Sequence, residues 1–165
     1  MTPAPCLVVE LPIASSTDAL GRALAHVLPP AFVVHLRGDL GAGKSSLARA
    51  LLRALGVTSS IKSPTYSLVE RYDLPGGREA VHLDLYRIGD PGELEYLGLD
   101  DLAGREVLWL VEWPEKGGSA LPPPDLEVRL EPAPKGRLAT LRPLSPRGLA
   151  IWPELNKIEA AGASA

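Results

Sequence analysis

The chain has 165 residues, of which 45% are hydrophobic and 22% charged, so it is long enough for one ordinary domain with a single core. Its formal charge of -3 argues against a general nucleic-acid coat and a polybasic membrane binder, because both need a large positive field. A single cysteine, Cys6, excludes an intrachain disulfide and a cysteine-rich zinc site. No apolar run approaches the roughly 20 residues of a membrane span, and residues 1–6 lack a secretory pattern. We therefore expect a cytoplasmic protein without membrane or disulfide partners.

The first third of the chain predicts a strand–helix–strand–loop–helix succession. Apolar runs indicate an edge strand and then a buried strand, and apolar spacing of three and four residues indicates two helices. Ser15 to Asp18 offer candidate N-caps for the first helix, and Gly56 is a suitable residue to end the second. In chain order these are a strand at 7–11, a helix at 19–28, a strand at 31–36, a glycine-rich turn at 38–45 and a helix at 46–55.

The rest of the chain predicts hairpins and short strands. Pro75-Gly76-Gly77 and Lys135-Gly136 are turn signals, and Asp90 can begin a helix with Pro91 at its first position. The predicted segments are extended chain at 61–73, strands at 80–86 and 106–111, a helix at 91–97, and hairpin strands at 126–130 and 138–141. We therefore predict an α/β fold with a mixed parallel and antiparallel sheet.

A phosphate-binding motif lies between the second predicted strand and the second predicted helix. It has the form G-x-x-x-x-G-K-[ST], in which glycines let backbone N–H groups converge on phosphate oxygens and the helix presents its positive end. Lys44 is placed to reach the β- and γ-phosphates of a nucleotide, and the Ser45 hydroxyl to bind Mg²⁺. The residues predicted to bind nucleotide here are Gly38, Asp39, Leu40, Gly41, Ala42, Gly43, Lys44, Ser45 and Ser46.

Two acids stand at the ends of predicted strands, where a phosphate-loop enzyme needs a carboxylate beside its metal. Asp84 lies within the run V-H-L-D-L, and Glu112 follows the run V-L-W-L-V. We assign Asp84 to the metal and Glu112 to the attacking water, although the sequence alone permits the two roles to be exchanged. Ser45, Asp84 and Glu112 are therefore all candidate metal ligands.

Residues 63–66, with the sequence S-P-T-Y, lie between the loop helix and the Asp84 strand. In nucleotide switches a Thr hydroxyl in such a position binds Mg²⁺ only when the γ-phosphate is present. This makes Thr65 a candidate catalytic residue beside Lys44 and Glu112. The alternative is a bend fixed by Pro64 whose hydroxyls satisfy local backbone groups.

Five motifs in this order resemble those of the TsaE family of small bacterial ATPases. They are G-D-L-G-A-G-K-S at 38–45, S-P-T-Y at 63–66, H-L-D-L-Y-R at 82–87, L-G-L-D at 97–100 and V-E-W-P-E at 111–115. The resemblance implies a single-domain, three-layer P-loop NTPase fold over residues 1–144, with residues 145–165 as a weakly helical or frayed tail. It also implies that Lys44 and Ser45 bind phosphate and metal, that Asp84 is the metal-side acid, and that Glu112 and Trp113 are a functionally required pair. Trp113 would lie close to the nucleotide or to a partner.

The same resemblance implies Mg²⁺-dependent ATP hydrolysis, slow in the isolated protein, in the pathway that makes threonylcarbamoyladenosine in tRNA. The implied partner is the TsaD–TsaB pair. The acidic balance of the chain indicates that these partners handle most of the tRNA. Two other functions remain open from the sequence: a small P-loop kinase and a GTPase-like nucleotide switch. A non-enzymatic alternative is a nucleotide-gated binding module whose output is assembly, with hydrolysis only as a reset.

Overall fold

The chain folds around one mixed β-sheet in a computed structural model that describes residues 3–64, 67–102 and 105–158. Across these residues the sheet has seven strands in the spatial order β1-β7-β6-β2-β5-β4-β3. The strands are β1 (Leu7–Leu11), β2 (Phe32–Arg37), β3 (Val69–Leu74), β4 (Arg78–Asp84), β5 (Val107–Glu112), β6 (Leu126–Pro132) and β7 (Arg137–Pro143). β2 pairs in parallel with β5 and β6, and β4 pairs in parallel with β5; the remaining pairs are antiparallel. The predicted mixed sheet is confirmed.

Two helices, α1 (Ala14–Val27) and α2 (Lys44–Ala54), cover one face of this sheet. Two short helices, α3 (Pro146–Ala150) and α4 (Trp152–Leu155), follow β7. α1 and α2 cross closely at Gly21, where an added Cβ would lie 2.6 Å from the Ala50 Cβ. Near the C-terminus, Leu155 and Ile158 are buried in the same core as these two helices.

Short 3₁₀ segments cover the other face, over β4 and β5. They are Pro91–Leu97, Asp100–Leu102, Pro114–Lys116 and Gly118–Ala120. Their apolar side chains join Val81, Leu83 and Val111 in a second, smaller core. Helices, sheet and 3₁₀ segments therefore form three layers, as predicted, and none of the helices in the described ranges is long and apolar enough to cross a membrane.

The strand predicted at 80–86 lies at Arg78–Asp84. Two other predicted elements begin at a different residue, and a third keeps its predicted bounds but has another helix type. α1 begins at Ala14 rather than at residue 19, because the buried stripe of this helix already begins at Thr17. At its start the Ser16 hydroxyl accepts from the Ile13 N–H at 3.4 Å. Strand pairing after residue 61 begins only at Val69, immediately after Leu68, whose φ of 67° interrupts extended backbone. Residues 91–97 form a 3₁₀ helix with a single buried residue, Leu94, because one apolar contact does not sustain an α-helical face.

Strand alternation carries three polar side chains toward α2. Successive side chains on a strand point to opposite faces, and Ala80 and Leu108, whose side chains join the core under α1 and α2, fix which face this is. His82, Asp84 and Glu112 follow at even spacing, and Asp84 and Glu112 are paired across β4 and β5. The sheet therefore brings both predicted acids to the edge where α2 begins.

Candidate nucleotide-binding site

The predicted phosphate loop connects β2 to α2 as a tight turn. β2 ends at Arg37 and α2 begins at Lys44, with Gly43 as N-cap at φ 106°. An added Cβ at Gly38, whose φ is 149°, would lie 2.6 Å from the Leu130 carbonyl oxygen. These positions need glycine because side chains there would be strained or would collide with backbone. The result is a helix N-terminus opening into a cleft, the arrangement that binds phosphate groups.

Lys44 is buried, with 4% of its surface exposed. Its Nζ donates to the Gly38 carbonyl oxygen at 2.5 Å and to the Asp39 carbonyl oxygen at 2.9 Å. The ammonium group also lies 4.4 Å from the centroid of the Trp113 ring, a cation–π contact. Burial lowers the pKa of Lys44, and the negative charge of Glu112 partly opposes that shift. A buried cation thus stands at the base of the loop.

Glu112 joins the loop helix to the sheet. Both of its carboxylate oxygens accept from the Ser45 hydroxyl at 3.0 Å, and Oε2 lies 2.6 Å from His82 Nε2. Both Glu112 and His82 are 2% exposed. The imidazole therefore fixes the direction of the carboxylate that faces the Ser45 hydroxyl.

Asp84 is the second buried carboxylate of the site. Its Oδ1 accepts from the Tyr86 N–H at 3.1 Å, and it is 5% exposed. Burial raises its pKa, the Tyr86 hydrogen bond opposes the rise, and the negative charge of Glu112 adds to it. A carboxylate with a raised pKa is a better proton acceptor at neutral pH than an ordinary aspartate.

Trp113 turns the chain away from β5 in a left-handed conformation with φ 57°. Its ring lies 5.0 Å from the Tyr86 ring, at 47°, while Lys116 Nζ lies 4.8 Å from the Tyr86 ring centroid and donates to the Tyr86 carbonyl oxygen. Trp113, which follows Glu112, is therefore held beside Tyr86 and over Lys44. A non-glycine residue in this backbone region is often found at functional sites.

These groups surround a cleft of about 240 Å³. Of the predicted residues, it is lined by Leu40, Gly41, Ala42, Gly43, Lys44, Ser45, Ser46, Asp84, Glu112 and Trp113. Gly38 and Asp39 lie behind it, where their carbonyls bind Lys44. The prediction for Thr65 lies outside the described residues.

The sequence prediction omitted three residues of the site: His82, Tyr86 and Arg137. His82 and Tyr86 belong to the H-L-D-L-Y-R motif beside Asp84, so their spacing along the strand could have indicated them. Arg137 comes from β7 and has no local signal, because only the sheet order brings it to the loop.

The oxygen donors of the cleft are suited to Mg²⁺. The described residues hold no group of three or more His, Cys, Asp or Glu side chains that could bind a metal by themselves. One hydroxyl and two carboxylates nevertheless converge at Ser45, Glu112 and Asp84, and Mg²⁺ is commonly held by one or two carboxylates together with substrate phosphates and water. The donor set therefore fits this ion bound together with a nucleotide.

Comparisons with known proteins place the chain in a family. The family model described as "Threonylcarbamoyl adenosine biosynthesis protein TsaE" matches residues 11–139. The Haemophilus influenzae protein named tRNA threonylcarbamoyladenosine biosynthesis protein TsaE is 40% identical over 130 residues, which cover 76% of this chain and 82% of the relative. The Bacillus subtilis protein of the same name is 34% identical over 117 residues, covering 71% and 72%.

A solved structure shares the fold along nearly the whole chain. The crystal structure of Bacillus subtilis YdiB superposes with a TM-score of 0.78 at 25% identity and covers 95% of this chain and 98% of its own. The family match spans more than half of the chain and includes the loop, both acids and Arg137. The chain belongs to the TsaE family.

Proposed function

We propose that this protein is a Mg²⁺-dependent ATPase that acts in forming threonylcarbamoyladenosine in tRNA. The observation that carries the proposal is the convergence of Lys44, Ser45 and Glu112 on one cleft at the start of α2. The names of its relatives support the tRNA pathway. Family resemblance supports ATP as the nucleotide and the cytoplasm as the place of action.

Binding would exchange one set of Lys44 contacts for another. Its ammonium group now satisfies two carbonyls of the loop, and a nucleotide in the cleft would offer phosphate oxygens in their place. Charge-assisted bonds to phosphate are about twice as strong as neutral hydrogen bonds. Loop N–H groups at the helix N-terminus would complete the phosphate cradle.

The contacts favour exchanging the roles first assigned to the two acids. Glu112 touches the Ser45 hydroxyl with both oxygens, so we place Ser45 and Glu112 on the metal side, with His82 orienting Glu112. Bound Mg²⁺ would neutralise charge on the phosphates and on the leaving group. Asp84, whose pKa is raised by burial, would then hold the attacking water and accept its proton.

Partners would set the rate of hydrolysis. We propose that turnover is slow in the isolated protein and rises when the TsaD–TsaB pair binds, and that tRNA contacts those partners rather than this chain. Thr65 remains the candidate for sensing the γ-phosphate. Equal phosphate release with and without TsaD–TsaB would contradict the proposed stimulation.

Glu112→Gln tests the central assignment. We expect the variant to bind Mg·ATP within about tenfold of the wild-type Kd but to release phosphate at least about a hundredfold more slowly, and to need more Mg²⁺ for half-maximal rate. Calorimetry and a phosphate-release assay across a Mg²⁺ series measure these quantities. Asp84→Asn should slow release without changing the Mg²⁺ requirement.

Glu115→Gln is the matched control, because Glu115 lies in the same motif but is exposed and pairs with Arg37 at 3.0 Å. It should keep wild-type turnover. If Glu112→Gln fails to bind nucleotide at all, Glu112 is structural. If it keeps both its rate and its Mg²⁺ requirement, the metal-side assignment is wrong.

A further inference from the structure

Arg137 reaches the phosphate loop from β7, which lies two strands away from β2 in the sheet. It is the first residue of β7, and Ala139 and Leu141 at the same alternation lie in the core under α1 and α2. Its Nη2 donates to the Gly41 carbonyl oxygen at 2.9 Å. Its Nη1 would lie 2.8 Å from a Cβ at Gly43, so the guanidinium occupies space that a side chain at the helix N-cap would fill.

The cleft needs the positive charge of Arg137 to bind a polyanion. Among the described side chains that line it, Lys44 and Arg137 are the cations and Asp84 and Glu112 the ionisable acids, so their formal charges cancel. A triphosphate brings several negative charges, which the bound metal only partly neutralises. Without Arg137, two carboxylates would face that anion beside a single ammonium group.

The donors of Arg137 remain largely available. An arginine has five N–H donors, and one of them binds the Gly41 carbonyl. Within the described part of the chain no carboxylate forms an ion pair with Arg137. A guanidinium with a free planar edge matches phosphate geometry and can bind it through two parallel bonds.

We propose that Arg137 binds the phosphate chain of the nucleotide, as an arginine supplied by the chain itself. The inference rests on the proposed function, because it requires a nucleotide in the cleft. Arg137 then acts beside Lys44 from an element about ninety residues away along the chain. The β6–β7 hairpin becomes part of the binding site, rather than only an edge of the sheet.

The test compares nucleotide binding by four proteins: wild type, Arg137→Met, Arg137→Lys and Arg142→Ala. Methionine keeps an unbranched stem beside Gly43 without the charge, and lysine keeps the charge without the planar fork. Arg142 is an exposed arginine on the opposite face of the same strand, so its removal controls for net charge. Calorimetry with Mg·ATP at several salt concentrations gives Kd, and thermal unfolding without nucleotide tests the fold.

We expect Arg137→Met to weaken Mg·ATP binding by about ten- to a hundredfold, the range for a bond to a charged group. Arg137→Lys should recover part of this loss, and Arg142→Ala should bind as wild type does. The Kd of Arg137→Met should also depend less on salt than the wild-type Kd, because one screened attraction has been removed.

Unchanged affinity in Arg137→Met would overturn the inference while leaving the proposed function intact. The inference would also be overturned if Arg137→Met lost affinity, Arg137→Lys recovered none of it, and the salt dependence of Kd stayed unchanged. That result would indicate that Arg137 stacks on the base. A lowered unfolding temperature with unchanged affinity would make Arg137 a structural residue. If the wild type itself fails to bind Mg·ATP, the proposed function fails and this inference with it.

Discussion

The parallel and antiparallel parts of the sheet differ in whether they bury ionisable side chains. In the parallel part, β4 and β5 are covered on both faces, and His82, Asp84 and Glu112 are buried there. In the antiparallel part, β1 alternates strictly between buried and exposed residues, and Val8 is 44% exposed on the open face. Parallel strands are usually buried on both faces whereas antiparallel sheets often leave one face in water.

This difference explains where the chemistry lies. Burial shifts the pKa of Asp84 and of Lys44 away from their ordinary values, because a charge removed from water is costly. Side chains on the open face of β1, β7 and β6 remain in water, so their charges carry no such cost of burial. The antiparallel part supplies support for the core and, through Arg137, one side chain that reaches the cleft.

The largest expected effect is loss of the cation at the base of the loop. Lys44→Ala should weaken Mg·ATP binding by more than about a hundredfold. The variant lacks the ammonium group that, in the wild type, would bind phosphate oxygens in place of the two loop carbonyls. Calorimetry measures the loss, and circular dichroism checks that the fold is kept. If this variant binds Mg·ATP with wild-type affinity, the nucleotide does not bind in this cleft.

A pair of truncations on the same face of the sheet compares its two parts directly. Leu83→Ala on β4, fully buried on the face that the 3₁₀ segments cover, should lower the free energy of unfolding by about 4 kcal/mol, within the range for cavities left by leucine. Val8→Ala on the open face of β1 should lower it by less than about 0.5 kcal/mol. Urea unfolding monitored by Trp fluorescence measures both, and similar losses would contradict the difference between the two parts.

A smaller effect concerns a buried histidine on the other face of β2. His35 is 7% exposed, and its Nε2 has no hydrogen-bond partner within the described ranges. Burial, with Arg37 adding to it, lowers its pKa from 6.5 to about 4. The unfolded chain therefore binds a proton at a higher pH than the folded chain, and stability is lost as pH falls from about 6.5 toward 4.

His35→Leu should abolish that part of the acid sensitivity, which amounts to about 3 kcal/mol across the interval. The measurement is urea unfolding at pH values between 4 and 7.5. His26→Gln, on the exposed side of α1, is the matched control and should keep the wild-type curve. An identical pH dependence in His35→Leu and wild type would show that another group is responsible.

The sequence predicted the parts of the site that depend on nearby residues. The loop from Gly38 to Ser45 is a contiguous motif, and Asp84 and Glu112 follow strands whose apolar runs are visible. Both acids line the cleft as the strand ends required. Which of them faces Ser45 could not be predicted, because that depends on the register between β4 and β5 and on their twist.

Long-range pairing accounts for what the sequence did not predict. Arg137 enters the cleft because β7 pairs with β6, and β6 with β2, which leads into the loop. The predicted start of α1 is too late because Ala14 and Ser15 are exposed and the helix begins among serines that can also serve as caps. The 3₁₀ form of residues 91–97 depends on packing over β4 and β5, which local spacing does not reveal.

The contact between Gly21 and Ala50 has a mechanical consequence. The main chain of α1 approaches α2 so closely that a methyl group at Gly21 would collide with Ala50, leaving no long side chain between them to absorb a displacement. Any side chain at residue 21 would therefore push α1 away from α2, so the hydrogen of this glycine sets the separation of the two helices on the sheet.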